Sequence, residues 1–158
     1  MKASNKCKAY TSMGQSKVLE EILPIESADH HYSTWTILDD GEIIISPNQG
    51  STIKDLQEEY GSQIIPCWSV AALMNLLPSE FTERGEYSRT TYRIDIRKHA
   101  LTRDEDIYQI AYGNYHWHED GSCSWLDKIS SDEKRELIDA VYQMICLLKE
   151  KKIIKYEY

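Results

Sequence analysis

The sequence predicts an α+β fold with a mainly antiparallel sheet, and three observations carry that reading. Asp-Gly pairs at 40–41 and 120–121 each stand between runs rich in β-branched and aromatic residues, the composition of tight hairpins. Tyr92, Ile94 and Ile96 alternate with Arg93, Asp95 and Arg97, the period-two pattern of a strand with one wet face. Leu137, Val141, Met144 and Leu148 fall on one stripe of a helix near the C-terminus.

The elements follow in order. Residues 14–23 read as a short helix with Val18, Leu19, Ile22 and Leu23 on one side and Pro24 stopping it. Residues 33–38 and 43–45 form a hairpin around Asp39-Asp40-Gly41-Glu42, in a register that sets Leu38 against Ile43 and Ile37 against Ile44. Residues 52–60 form a second helix, with Thr52 as cap, Asp55 in its first turn and Gly61 as stop. The most apolar window, Ile64 to Pro78, reads as a third helix over about 67–77. Being apolar on nearly every side, it is expected to be the buried centre of the fold.

Strands at 90–97 and 106–118 come next, and the Asp120-Gly121 turn leads into a strand from Ser122. Gly113-Asn114 within the long strand reads as a bulge or bend. Ser130-Ser131-Asp132-Glu133 has the form of a capping box for a last helix running to about Glu150. The expectation is one domain over 1–158, with about five strands packed against the central and C-terminal helices and with loose ends at 1–12 and 152–158.

The chain carries 26 acidic and 18 basic residues among 158, a formal net charge of −8. Because phosphate neutralisation supplies most non-specific affinity, this balance disfavours nucleic acid as a partner. No segment is long and apolar enough for a signal peptide or a membrane span, and the four cysteines are dispersed without a C-x-x-C pair. A cytoplasmic protein with reduced thiols is expected. Eleven Tyr and four Trp stand against one Phe. Such residues join a large apolar body to a polar tip, which suits half-wet contact surfaces and equally a tyrosine-rich sheet face.

Two places have residue types that could support catalysis or metal binding. Cys67, at the expected start of the third helix, is where a helix N-terminus would favour a thiolate nucleophile. That chemistry also needs a histidine and an orienting carboxylate or amide. None of His30, His31, His99, His116 and His118 lies in a recognisable hydrolase context, and Gln63 alone does not make an oxyanion hole. Cys67 therefore reads first as a small buried hydrophobe. The second place is His116-Trp117-His118-Glu119-Asp120-Gly121-Ser122-Cys123, where a two-residue turn would set His118 opposite Cys123, with His116 on the same face. Two imidazoles and a thiol would make a zinc half-site, although exposed polar residues beside a turn account for them more simply. The segment 26–31, with Glu26, Asp29, His30 and His31, reads as a loop with a capping or turn role. No phosphate loop, dinucleotide fingerprint or nucleophile elbow occurs, and no cofactor is expected.

Three blocks carry a resemblance. They are Gln15-Ser16-Lys17-x-Leu19 leading to Leu23-Pro24-x-Glu26-Ser27-Ala28-Asp29, then Ile65-Pro66-Cys67-Trp68-Ser69-x-x-x-Leu73-x-x-Leu76-Leu77-Pro78, then Asp139-Ala140-x-x-x-Met144-x-x-x-Leu148-Lys149-Glu150. In this order the chain resembles a group of small uncharacterised proteins of anaerobic gut bacteria and their prophages and mobile elements. The resemblance implies a small cytoplasmic accessory protein and assigns no catalytic residue. The functional expectation is a non-catalytic interaction module whose partner is another protein. Its alternatives are a thiol- or metal-dependent hydrolase, through Cys67 or through His116, His118 and Cys123, and a small-ligand or nucleotide-binding protein.

Overall fold

A computed structural model of the chain describes residues 8–37, 43–102 and 105–155. The expected turn at Asp39–Glu42, with Leu38, lies outside the described residues, as do Cys7 and Tyr156. The chain divides into two compact units, one up to Leu76 and one over Leu77–Lys155, and each is described by itself.

The first unit contains α1 (Met13–Glu20), β1 (His30–Ile37), β2 (Ile43–Pro47), α2 (Ile53–Tyr60), β3 (Ile64–Cys67) and α3 (Val70–Leu76). Its sheet has the order β2-β1-β3, with both pairings antiparallel. Each of the first two helices opens on a capping box: Ser12 with Gln15, and Thr52 with Asp55. In both, the cap side chain accepts from the backbone N–H three residues on, and that residue's side chain accepts from the cap's N–H. Leu19, Leu23, Ile53, Ile64, Trp68 and Leu73 form the core, whereas Val18 is exposed.

Two expectations need correction here. The hairpin register is one residue off, because Ile37 pairs with Ile43 rather than Ile44. The third helix, expected over about 67–77, is also shorter. Ile64–Cys67 is a strand paired with β1, and α3 keeps only seven residues, with Leu73 buried and Ala71 and Asn75 exposed. The helix opens at Val70 because Ser69 caps it with Asp29 behind, and Pro66 ahead of it is tolerated on an edge strand such as β3. Residues 9–11, expected to be loose, are tied down. Thr11 N–H donates to the Trp68 carbonyl (3.0 Å) and Val70 N–H to the Ala9 carbonyl (3.0 Å).

The second unit contains β4 (Glu80–Arg84), β5 (Arg89–Ala100), β6 (Asp106–Trp117), β7 (Cys123–Ser130) and α4 (Leu137–Glu150). The four strands form a sequential antiparallel meander. The class is thus α+β with antiparallel pairing, and among the described residues seven strands are shared between sheets of three and four rather than one sheet of about five. Helix α4 packs on β6. Ile110 and Tyr112 of β6 and Ile138, Val141, Met144, Ile145 and Leu148 of α4 are all buried.

The helix starts at Leu137, later than the Ser130–Glu133 pattern implies. Ser131 is buried and accepts the Ile110 N–H on its hydroxyl, while Lys134 forms an isolated bridge with Tyr108. Both serines are therefore engaged with the sheet, and the cap position falls to Glu136, which makes no side-chain cap bond. At the other end Lys152 takes positive φ (58°), Lys152 N–H donates to the Lys149 carbonyl and Ile153 N–H to the Leu148 carbonyl, a Schellman close. Ile154 behind it is buried, so residues up to 154 are not a loose tail. Among the described residues no helix is long and apolar enough to cross a membrane.

Candidate functional site

Cys67 ends β3, three positions before the start of α3, and is completely buried. Its sulfur is turned to Thr11, with the hydroxyl at 3.6 Å and the carbonyl at 3.8 Å. Thr11 and Ser16 share a buried hydroxyl bond of 2.8 Å, and the Tyr32 hydroxyl donates to the Thr11 carbonyl at 2.6 Å. Burial pushes the Cys67 thiol up, against the help of the neighbouring hydroxyls. Burial and the adjacent thiol likewise push Tyr32 up to about 12.

The β1–β3 register sets His30 opposite Cys67, a proximity that sequence spacing did not reveal. His30 Nδ1 lies 3.3 Å from Asp29 Oδ1 but is buried without an aligned hydrogen bond. Asp29 is committed elsewhere: its carboxylate accepts the Ser69 N–H (2.8 Å) and the Ser69 hydroxyl. Burial opposes its ionisation, yet these bonds hold its carboxyl below the ordinary value. Ser69 Oγ in turn accepts the Ala72 N–H, which makes Asp29 and Ser69 together the cap of α3. The capping role expected of segment 26–31 is thus what Asp29 performs. Ser27 takes a second structural part, since its hydroxyl accepts the indole N–H of buried Trp68 (2.9 Å). A thiol nucleophile needs a low pKa and an approach for substrate, and Cys67 has neither.

The His116–Cys123 hairpin differs from expectation by one residue. Trp117 pairs with Cys123 and His116 with Ser124, and His118 N–H donates to the Ser122 carbonyl. Directly opposed residues share a face. Cys123 therefore sides with Trp117, and His116 and His118 point the other way. The two imidazoles stand edge to face at 5.2 Å, and His118 Nε2 is 2.9 Å from Ser124 Oγ. Among the described residues no group of three metal-ligating side chains comes together.

The sheet face bearing Arg93, Asp95 and Arg97 gathers side chains that sequence reasoning did not combine. Pairing places Gly113 beside Arg93 on β5 and beside Asp127 on β7, and Tyr115 beside Trp125. Trp125 lies across Gly113: a Cβ there would fall 2.6 Å from the indole nitrogen and 2.3 Å from the Leu126 carbonyl oxygen. Glycine is required for this close approach. The indole N–H donates to Asp127 Oδ1 (2.7 Å), and Asp127 also receives both Nη groups of Arg97. Those bonds from Arg97, working against burial, hold the Asp127 carboxyl below its ordinary value.

Tyr115 stands edge-on to the Trp125 ring at 5.2 Å and 84°. It is 64% exposed, and Trp117, two residues on along the same face, is 70% exposed. A hollow of about 160 Å³ opens here, walled by Thr91, Arg93, Tyr115 and Trp125 over Gly113. A second hollow adjoins it and shares Arg93, Tyr115 and Trp125. The tyrosine and tryptophan excess was the available signal. The bulge or bend read at Gly113-Asn114 lies between Tyr112 and Gly113, where it shifts the β6–β7 pairing; what the sequence lacked was the pairing partners. Comparison of the chain with family models, with curated proteins and with solved structures finds no match.

Proposed function

We propose that the protein is a non-catalytic interaction module that binds another protein through the open face of its four-stranded sheet. The observation that carries this reading is the sheet face bearing Tyr115, Trp117 and Trp125, on which Tyr115 and Trp117 are exposed and Trp125 is half-buried although each ring is large enough to anchor a core. Exposed tyrosine and tryptophan are the residues most enriched at the energetic centres of protein interfaces. The buried thiol of Cys67 and the opposed faces of Cys123 and the two histidines give the hydrolase alternative no comparable support. A cytoplasmic setting belongs to the same proposal and is supported by free thiols at Cys67, Cys123 and Cys146. An accessory role in a phage or mobile element rests on the resemblance of the three sequence blocks alone.

The test is affinity capture from a native host with the wild-type chain and with the double variant Tyr115→Ala, Trp117→Ala, read by quantitative mass spectrometry. A protein retained by the wild type and lost from the variant supports the proposal. Identical captured sets from the two chains overturn it.

A further inference from the structure

We infer that the strip made by Arg84, Arg89 and Arg93, with the aromatic hollow between its ends, takes an extended acidic segment of the partner in which two carboxylates flank an apolar side chain. This inference rests on the reading of the open sheet face as the contact surface, and it adds the chemistry of what lies there.

Strand pairing puts the cations on the same face as the rings. Directly opposed residues share a face, as do residues two apart on one strand. Arg84 opposes Arg89, Thr82 opposes Thr91 and Glu80 opposes Arg93, and Arg93 opposes Gly113 in turn. The arginines therefore stand on the face of Tyr115, Trp117 and Trp125, and all three are exposed. Among the described residues Arg84 and Arg89 have no hydrogen bond or ion pair. Like charges directly opposite one another are destabilising, so this pair is relieved by an anion brought from outside. Arg93 meets Glu80 at 3.7 Å with both side chains more than half exposed, a pair that competes weakly with an incoming carboxylate.

Spacing selects the occupant. Arg89, Thr91 and Arg93 follow one another at every second position, so the two cationic ends of the strip lie about 14 Å apart. Midway between them, Thr91 walls the hollow it shares with Arg93, Tyr115 and Trp125. The face thus reads cation, apolar seat, cation with the period of a strand. An extended peptide matches it with an acidic residue, an apolar residue two places on and a second acidic residue two places beyond. Guanidinium forks hold carboxylates bidentately, and the Tyr115 and Trp125 rings supply the apolar contact.

Extent decides against a nucleic acid. Glu86 stands in the hairpin loop beyond Arg84 and Arg89, and Glu80 and Asp95 stand at the Arg93 end. A phosphate backbone running on past either end would meet carboxylates on a chain of net charge −8, whereas a short acidic segment ends where the cations do.

The test is a fluorescence anisotropy titration of the full chain against four probes with the same dye. They are a Gly-Ser decapeptide carrying two glutamates four residues apart with a leucine midway, its glutamine counterpart, its lysine counterpart and a ten-nucleotide oligo-dT. Saturable binding is expected with the glutamate peptide, at least tenfold weaker with the others, and weakened by added salt. Affinity should fall at least tenfold in Arg93→Gln and in the double variant Arg84→Gln, Arg89→Gln, and stay unchanged in Arg135→Gln, an exposed cation ahead of α4. Removing the opposed charges should leave the melting temperature at or above the wild-type value, which separates lost binding from lost fold. Equal binding of the glutamine peptide, preferential binding of oligo-dT, full affinity in the arginine variants or no binding of any probe overturns the inference. If the acidic peptide fails while capture still depends on Tyr115 and Trp117, only the occupant is wrong and the interaction face stands.

Discussion

Arg97 and Asp127 form a two-pronged ion pair that spans strand β6, with Nη1 at 2.8 Å from Oδ2 and Nη2 at 2.6 Å from Oδ1. Because Asp127 Oδ1 also accepts the Trp125 indole N–H, the guanidinium on β5 positions an indole on β7 that it does not touch directly through a hydrogen bond. Asp95 completes the arrangement on Arg97 Nε at 2.7 Å. The hydrogen bonds that Arg97 donates to Asp127 raise its proton affinity further, against its partial burial. Lysine carries the charge without the planar fork. Arg97→Lys is therefore expected to cost about 1 kcal/mol in urea unfolding. It should also move the Trp125 indole N–H resonance toward that of a solvated indole. A variant with that resonance unmoved would show that Asp127 holds the ring without Arg97.

The same pair sets an acid response. Asp127 has a folded-state pKa below its unfolded value, so the unfolded chain binds more protons in the interval between them. The pair's contribution is complete above roughly pH 4 and is lost as pH falls through the folded value. In Asp127→Asn this part of the acid dependence should vanish, leaving a shallower decline of stability below about pH 4. Parallel denaturant titrations of the two proteins at stepped pH would reveal it, and an unchanged slope would remove Asp127 from the response.

Part of this was legible in the sequence, and the division has a physical basis. The alternation of Tyr92 to Arg97 announced β5 and its two faces, because side-chain direction in a strand has a fixed period. Thr52 and Asp55 announced α2, because a cap is a local device. Register was not legible. One residue at the Asp120-Gly121 turn decided whether Cys123 faced His118 or Trp117, and a slip of one exchanges the faces. The candidate site was hidden for the same reason: Arg97 and Asp127 are thirty residues apart, and only the strand order and the bulge at Gly113 bring them together.

Gly113 makes the sharpest demand on sequence within that face. Its backbone needs no special φ, so the requirement is one of space. Adding a methyl group in Gly113→Ala forces the Trp125 ring and the β7 backbone outward and should cost about 1–3 kcal/mol. The Tyr115–Trp125 corner should open with it, visible as loss of ring-current shifts on Tyr115. Full stability with shifted rings would mean that the sheet yields without strain.

At the end of α4, Lys152 occupies a left-handed position that a side chain disfavours. Glycine removes that penalty while the two closing backbone bonds remain available. Lys152→Gly is expected to stabilise the protein by about 1 kcal/mol in equilibrium unfolding. Destabilisation would indicate that the lysine side chain contributes more than its conformation costs.

Cys67 provides the test that separates a core residue from a nucleophile. Its thiol is inaccessible and its pKa is raised by burial, so both factors that govern alkylation oppose reaction. Cys123 is exposed beside Trp117 and serves as an internal reference. With iodoacetamide at neutral pH, peptide mapping should find Cys123 modified within minutes and Cys67 modified only as fast as the surrounding structure opens. Added urea should then accelerate Cys67 selectively, since its labelling tracks the open population. Replacing the thiol by Cys67→Ala should leave the fold intact at a cost of about 1–2 kcal/mol, because a small side chain still fills most of the site. Rapid labelling of Cys67 in the native protein, at a rate independent of urea, would restore it as a reactive group and reopen the pairing with His30 across the β1–β3 ladder.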